Sequence, residues 1–378
     1  MHSDLLLVIV IVTAVAFDFT NGFHDTANVV ASAISTRALS PRAAVALASV
    51  LNFAGAFISL KVAATVATGI VEPSQVTETV AFAGLIGAIA WNLTTWAYGL
   101  PSSSSHALIG GIIGAVLAAA GASAVKVHGV ITKVIVPAFV APVLAFVLAG
   151  LVIVLIYRLV GRSRPGAVTR GFRFGQIISS GALSLAHGTN DAQKTMGVIA
   201  LALVAHGDLN AKHPHVPAWV VILAATAIAL GTYAGGWRII RTVGSRIINM
   251  DVAQGFSAQG AGAAVILVSS HFGYPLSSTH VISGGVMGSG AAKRLSAVRW
   301  GVAGNIVVAW VVTLPAAGVF GAVAYWVATA VGHGALGPLV VTAVSLAVLI
   351  RAVAGHRGRL AEPATAEAAG HTSAPGHA

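Results

Sequence analysis

Cysteine is absent from the 378 residues, which excludes disulfides and thiolate metal sites. Charge is scarce as well: 8% of the residues are charged against 57% hydrophobic, a balance that no soluble domain of this size carries on its surface. The first apolar stretch lacks a basic region ahead of it and runs straight into a polar motif, so no cleaved signal peptide is expected. What remains is a series of apolar runs recurring from end to end, each long enough to cross a hydrocarbon core about 30 Å thick. The chain reads as an all-α polytopic membrane protein.

Full spans are expected over 5–36, 43–67, 129–157, 174–205, 217–236, 300–329 and 336–354, with two paired apolar segments over 79–121 and 253–292. With the N-terminus outside, sixteen of the twenty-one Lys and Arg fall in loops on one side, among them Arg37, Arg42, Arg170, Arg241, Arg299 and Arg351. The opposite face receives Lys126, Lys133 and Lys212 with four acidic residues, and Lys61 and Lys194 fall within spans. This is the positive-inside signature, so the net charge of +11 reflects orientation and not a nucleic-acid partner. It places the C-terminus in the cytoplasm of a multi-pass plasma (inner) membrane protein, with membrane lipid as its surroundings.

One polar phrase is written twice inside apolar sequence, Pro101-Ser-Ser-Ser-Ser-His106 and Pro275-Leu-Ser-Ser-Thr-His280. A second recurs as Gly22-Phe23-His24-Asp25 and Gly188-Thr189-Asn190-Asp191. The orientation makes the first paired segment enter from outside and the second from inside, as interrupted or re-entrant helix pairs of an inverted-topology repeat. The expected organisation is a first repeat over 1–157, a basic cytoplasmic linker over 158–173, a second repeat over 174–330, an additional transmembrane helix over 331–356, and a disordered tail over 357–378.

In the serine phrases the proline suits a first helical turn, so the amides of Ser103 to His106 and Ser277 to His280 are expected to point unpaired toward the break. A helix start offers donors and about half a positive charge, an anion site without a basic side chain. The hydroxyls of Ser103, Ser104, Ser105, Ser277, Ser278 and Thr279 add donors, and two such ends facing one another would surround a tetrahedral oxyanion. The competing reading is back-bonding of each hydroxyl to its own helix. Asp25 and Asp191 lie within apolar spans, where a carboxylate costs about 2.5 to 3.5 kcal/mol and needs a cation, a proton or a buried partner. Asn28 and Asn190 are neutral oxygen ligands beside them. His24 stands where the second half has Asn190, and it either carries a proton or packs as a hydrogen-bonded residue. Lys194, one turn after Asp191, either neutralises it or attracts the anion. Asp18 is a weaker candidate, aligned with Ser184. His106 and His280 brace the helix starts, and the glycines at 110, 111, 114, 284, 285 and 288 serve close helix packing.

Phe17-Asp-Phe-Thr-Asn-Gly-Phe-His-Asp-Thr-Ala-Asn28, His187-Gly-Thr-Asn-Asp-Ala-Gln-Lys194 and both Pro-Ser-His phrases, four motifs in order, closely resemble the PiT family of inorganic phosphate transporters. The resemblance spans roughly Asp4 to Ala330. It implies cation-coupled symport of inorganic phosphate, with the GxNDxxN copies near the coupling cation and the Pro-Ser motifs near phosphate. His24 and Lys194 depart from the asparagines of that motif. An imidazole and an ammonium weaken a sodium site and favour a proton. The wording also resembles the bacterial low-affinity branch, for which proton symport and neutral metal-phosphate substrates are implied.

The sequence therefore implies secondary active import of inorganic phosphate by proton symport, Asp25 and Asp191 taking up the proton. A divalent metal enters as co-substrate, with no resident cofactor or metal site. Sodium coupling, transport of sulfate, and an intramembrane hydrolase built on Ser104 or Ser278 are the alternatives. The last is disfavoured because a serine and a histidine two positions apart do not share a helix face. The oligomeric state is open, a homodimer included.

Overall fold

The computed structural model describes residues 2–160, 164–211, 215–332 and 334–361. The first half contains α1 (His2–Ser35), α2 (Pro41–Gly55), α3 (Lys61–Thr68), α4 (Glu78–Ala97), α5 (Ser104–Ala120), α6 (Val127–Val130) and α7 (Val136–Val160), the last two joined by a π turn over Ile131–Ile135. The second contains α8 (Pro165–His206), α9 (Ala218–Ala234), α10 (Trp237–Arg241), α11 (Val252–His271), α12 (Ser278–Lys293) and α13 (Trp300–Val331), and α14 (Leu336–Ala361) follows. Helices long and apolar enough to span a bilayer include Asp4–Ser35, Glu78–Ala97, Val127–Val160, Val252–His271 and Trp300–Val331.

Local signals fix the helix ends. Ser40 caps α2 by accepting from the Ala43 amide, with Pro41 in the first turn, and Thr77 caps α4 through the Val80 amide. Asp251 and Gln254 close a reciprocal capping box at the start of α11. Gly207 ends α8 with φ +102°, a conformation that costs glycine little.

One expected span is broken instead. The run 43–67 divides at Ala56–Leu60 because α2 ends where Gly55 meets α8 too closely for any side chain: a Cβ there would stand 2.2 Å from the Leu185 carbonyl oxygen. The first-turn amides of α3 are satisfied from outside, Val62 and Ala63 both donating to Gln193 Oε1 at 2.8 and 3.2 Å. The span expected over 217–236 is α9, Ala218–Ala234, after which the chain bends by 60° through Gly235 (φ +72°) and Gly236 into Trp237–Arg246. The basic linker is shorter than 158–173: α7 runs to Val160 and α8 already starts at Pro165, a residue preorganised for a first turn. The helix after the second half reaches Ala361, so 357–361 has helical backbone, and the rest of the expected tail, 362–378, lies outside the described residues.

The halves interlock. α1 packs on α9 as α8 packs on α2, and α5 packs on α13 as α12 packs on α7. Within each half, α4 lies along α5 and α11 along α12. Glycine makes these contacts possible at matched positions. A Cβ at Gly110 or Gly114 would stand 2.2 or 1.9 Å from a carbonyl oxygen of α13, and one at Gly284 or Gly288 would stand 2.3 or 2.0 Å from one of α7. The two interrupted pairs, α4–α5 and α11–α12, thereby present their breaks to the centre, against α1 and α8.

Candidate functional site

Each serine phrase is the non-helical stretch before a helix. α5 begins at Ser104 and α12 at Ser278, so Pro101 and Pro275 stand three residues upstream of the starts and not in the first turn. Ser103 and Ser277 are the caps: their hydroxyl oxygens accept from the amides of His106 at 3.1 Å and His280 at 3.2 Å. The expectation that those two amides are unpaired is corrected accordingly, while each capping hydroxyl keeps its own hydrogen as a donor. A helix start buried this deeply must satisfy its first amides, and the nearest hydroxyl does it.

The next residues of each phrase turn to the aspartates. Ser104 donates to Asp25 Oδ1 at 3.2 Å, and Ser278 lies 3.3 Å from Asp25 Oδ2 and 3.0 Å from Asp191 Oδ2. One carboxylate thus gathers a hydroxyl from each half, and the two helix starts meet there. Ser105 donates to Asp191 Oδ1 at 3.4 Å and to the Leu276 carbonyl at 3.1 Å. Asn28 and Lys194, aligned positions of the two halves, each reach across. Asn28 Nδ2 donates to Thr279 Oγ1 at 2.9 Å and Ser278 Oγ at 3.3 Å. Lys194 Nζ donates to Ser105 Oγ, to Leu276 O at 2.7 Å and to the Asp191 carboxylate. Asn28 therefore enters as a donor to hydroxyls. None of the sequence-predicted site residues exceeds 3% exposure. His106 and His280 bring their rings to 4.7 Å, and His280 stacks on Trp310, bracing the two starts against each other.

His24 and Asn190 stand at aligned positions with different partners. His24 Nδ1 is 2.7 Å from Asp25 Oδ1, and its Nε2 faces Thr95 Oγ1 at 3.3 Å and Ser102 Oγ at 3.4 Å. Asn190 donates to Ser270 Oγ at 2.8 Å and Tyr274 O at 3.1 Å, leaving its own carbonyl oxygen buried without a donor.

Three residues go unassigned in the sequence reading. His187, one turn before Asp191, places Nε2 2.8 Å from Asp191 Oδ2, an ion-pair distance without hydrogen-bond alignment. Its Nδ1 faces Asn52 Oδ1 at 3.2 Å, and Asn52 is held by donating to Thr232 at 2.7 Å, so Nδ1 carries the proton and Nε2 turns to the carboxylates. One ligand atom each of Asp25, His187 and Asp191 lie within 4.8 Å of one another, a set that could hold a divalent cation and adds His187 to the two aspartates expected to meet the coupling cation. Ser102 donates to Thr95 at 2.8 Å beneath His24, and Gln193 ties α8 to α3. The i−4 spacing of His187 from Asp191 is the one signal that marks it beforehand. A cleft of about 630 Å³ opens elsewhere, at the ends of α1, α4 and α8 beside Glu78 and His206.

In chemical terms, hydroxyls and two helix starts converge on carboxylates, the same recognition elements that suit a small oxyanion. Comparison with known proteins agrees. Residues 21–170 and 161–321 match the model of the phosphate transporter family. A probable low-affinity inorganic phosphate transporter of Mycobacterium bovis is 56% identical over 85% of this chain and 77% of that protein. One of Bacillus subtilis is 45% identical over 85% of this chain and 97% of its own length. A solved structure, described as the sodium-dependent phosphate transporter, superposes with a TM-score of 0.77 at 26% identity, covering 86% of this chain and 99% of that one. These relatives are carriers and not hydrolases, and the chain belongs to the phosphate transporter family, the PiT family of membrane carriers.

Proposed function

We propose that this transporter imports inorganic phosphate together with protons, phosphate binding between the starts of α5 and α12. The supporting observation is that Asp25 is held by Ser104 and Ser278, one hydroxyl from each half. A phosphate anion arriving there needs those same donors, and it meets two buried carboxylates of its own sign. Anion and carboxylates compete, and a proton added at the Asp25–His24 pair releases a hydroxyl to the substrate while removing a negative charge. Phosphate and cation then bind better together than either alone, which is the thermodynamic content of coupling.

Lys194 holds Asp191 and the Leu276 carbonyl, so the second half supplies a fixed positive charge and the first half the titrating one. Ser104, Ser105, Ser278 and Thr279 are the hydroxyls offered to phosphate, and Asn28 and Asn190 orient the network around Asp25 and Asp191. When a divalent cation travels with phosphate, Asp25, His187 and Asp191 are the ligands it would take. Alternating access follows from rocking of the two inverted halves against each other, with the N-terminus outside.

The test is labelled phosphate uptake into liposomes of the purified full chain, run with a proton gradient and, separately, with a sodium gradient. Accumulation driven by the proton gradient, and lost in Asp25→Asn, is the expected result. Accumulation driven by sodium alone would replace this reading with the coupling named for the solved relative.

A further inference from the structure

Asp18 lies on α1 seven residues before Asp25, two turns away and about 10 Å along the axis. It is wholly buried, and neither carboxyl oxygen has a hydrogen-bond partner. The other buried carboxylates among the described residues are all served: Asp25 by hydroxyls and the His24 ring, Asp191 by hydroxyls and Lys194, Glu78 by His206 at 2.7 Å. Beside Asp18 stand Asn21, one turn along α1, and Thr195 of α8, close by but outside hydrogen-bond geometry. Asn21 Oδ1 and Thr195 Oγ1 are themselves buried and unpartnered. Three side chains thus bring four unpartnered oxygens together across the α1–α8 contact, and the donors at hand, the Thr195 hydroxyl and the Asn21 amide nitrogen, make no hydrogen bond to Asp18.

The charged groups that face Asp18 are Asp191 and Lys194 of α8, which act on it with opposite sign. α9, packed on the other side of α1, carries no charged residue, and α2 and α4 carry theirs, Arg42 and Glu78, in their first turns. No cation in that set is dedicated to Asp18, since Lys194 is engaged by Asp191, Ser105 and Leu276. The aligned position of the second half, Ser184, is satisfied by donating to Ser180 O at 2.8 Å. The Asp18 group therefore departs from the repeat.

A wholly buried carboxylate with neither a hydrogen bond nor a cation of its own is more easily held as the neutral acid, whose O–H can donate to the Asn21 oxygen while Thr195 donates to the second carboxyl oxygen. We infer that Asp18 is a second proton-carrying carboxyl of this transporter, protonated when α1 and α8 are closed on each other and deprotonated when they part and water reaches it. This rests on the phosphate:proton symport proposed above, and adds one proton per transport cycle to whatever Asp25 carries.

Accumulation at steady state tests it, with membrane voltage clamped by valinomycin and potassium. A proton gradient of one pH unit drives about a ten-fold accumulation per coupled proton. Asp18→Asn, which resembles the protonated acid, is expected to exchange labelled for unlabelled phosphate at equal pH on both sides. Under the gradient it should accumulate phosphate to a level about ten-fold below wild type. Taking the ratio of wild type to variant cancels effects of phosphate speciation. Asp18→Glu retains a titrating carboxyl and should accumulate like wild type.

Equal accumulation by wild type and Asp18→Asn overturns the inference, as does equal loss in Asp18→Asn and Asp18→Glu, which would mark a structural residue. Accumulation that follows a sodium gradient and disappears in Asp18→Asn would put sodium at the group and overturn the proton. Should Asp18→Asn not fold, Thr195→Val carries the test: the pH midpoint of gradient-driven uptake must move relative to that of exchange, and an unmoved midpoint is fatal. Wild-type uptake indifferent to the proton gradient is a different result, the failure of symport itself.

Discussion

Neighbouring serines in one phrase have different duties, and Ser277→Ala against Ser278→Ala separates them. The Ser277 oxygen accepts one amide, that of His280, so its removal deletes a cap. The expected cost is about 1 kcal/mol of stability. The Ser278 hydroxyl touches Asn28, Asp25 and Asp191, and its loss strips Asp25 Oδ2 of its donor and half of the Asn28 network. A hydrogen bond to a charged group contributes about 1.5 to 3 kcal/mol. If phosphate takes over that hydroxyl, the same magnitude appears in binding, a loss of affinity of roughly 10- to 100-fold. Phosphate-dependent thermal stabilisation in detergent and uptake at varied phosphate concentration measure both quantities on both variants. Ser277→Ala should melt earlier with nearly unchanged phosphate response, and Ser278→Ala should show the reverse weighting. Equal affinity losses in the two variants would refute the division of labour between cap and site.

Lys194→Met leaves Asp191 as a buried charge without its ammonium, and breaking such a pair costs about 3 to 5 kcal/mol; the double variant with Asp191→Asn should recover most of that stability, as thermal melts would show. Gly114→Val and Gly288→Val drive a Cβ to 1.9 and 2.0 Å of carbonyl oxygens on α13 and α7, so both should lose about 1 to 3 kcal/mol or misassemble, read by size-exclusion profile and melting temperature. Where α1 and α4 start and α8 ends, the hydrogen bond to Glu78 first, and then the Glu78, Asp208 and Asp4 charges, raise the His206 pKa above 6.5. A raised folded-state value means the stabilising contact is fully present below pH 6.5 and lost as pH rises through the higher folded value. Stability measured across that window should fall on the alkaline side in wild type and stay flat in His206→Gln.

Much of the architecture was legible because it is repeated. Both Pro-Ser breaks, the glycines behind them and the helix pairs over 79–121 and 253–292 appear close to where hydropathy and duplication placed them. The break in 43–67 and the bend that follows 217–236 were not legible, since neither has a proline at the break. They form because Gly55 and Gly236 press on backbone of other helices and because Gln193, distant in sequence, caps α3. At the site, residue types pointed to the right cluster but not to its wiring. Which serine of a row of four faces its own amides, and which faces a carboxylate, depends on where the helix starts, and that is set three residues later than the proline suggests. His187 was hidden because a histidine in a repeat motif gains its meaning from Asn52, a partner on another helix.

The repeat also explains where asymmetry must reside. Caps, glycines and helix pairings are matched between halves, so the scaffold alone favours neither direction of rocking. The charges are not matched: His24 stands against Asn190, Asn21 against His187, Asn28 against Lys194 and Asp18 against Ser184. The second half carries a lysine held to its aspartate with His187 beside it, whereas the first carries no buried ammonium and two carboxylates, one served by a histidine and hydroxyls and one by nothing. A gradient can do work only on groups whose protonation changes with conformation, and a carboxylate locked to a buried ammonium changes least. Exchanging the pair, with Asn28→Lys and Lys194→Asn in one chain, therefore moves the fixed charge beside Asp25 and frees Asp191. Phosphate exchange should survive in that variant while its pH dependence transfers to Asp191, so that Asp191→Asn abolishes the response and Asp25→Asn no longer does. A response that still follows Asp25 would show that the fixed cation does not choose the titrating half.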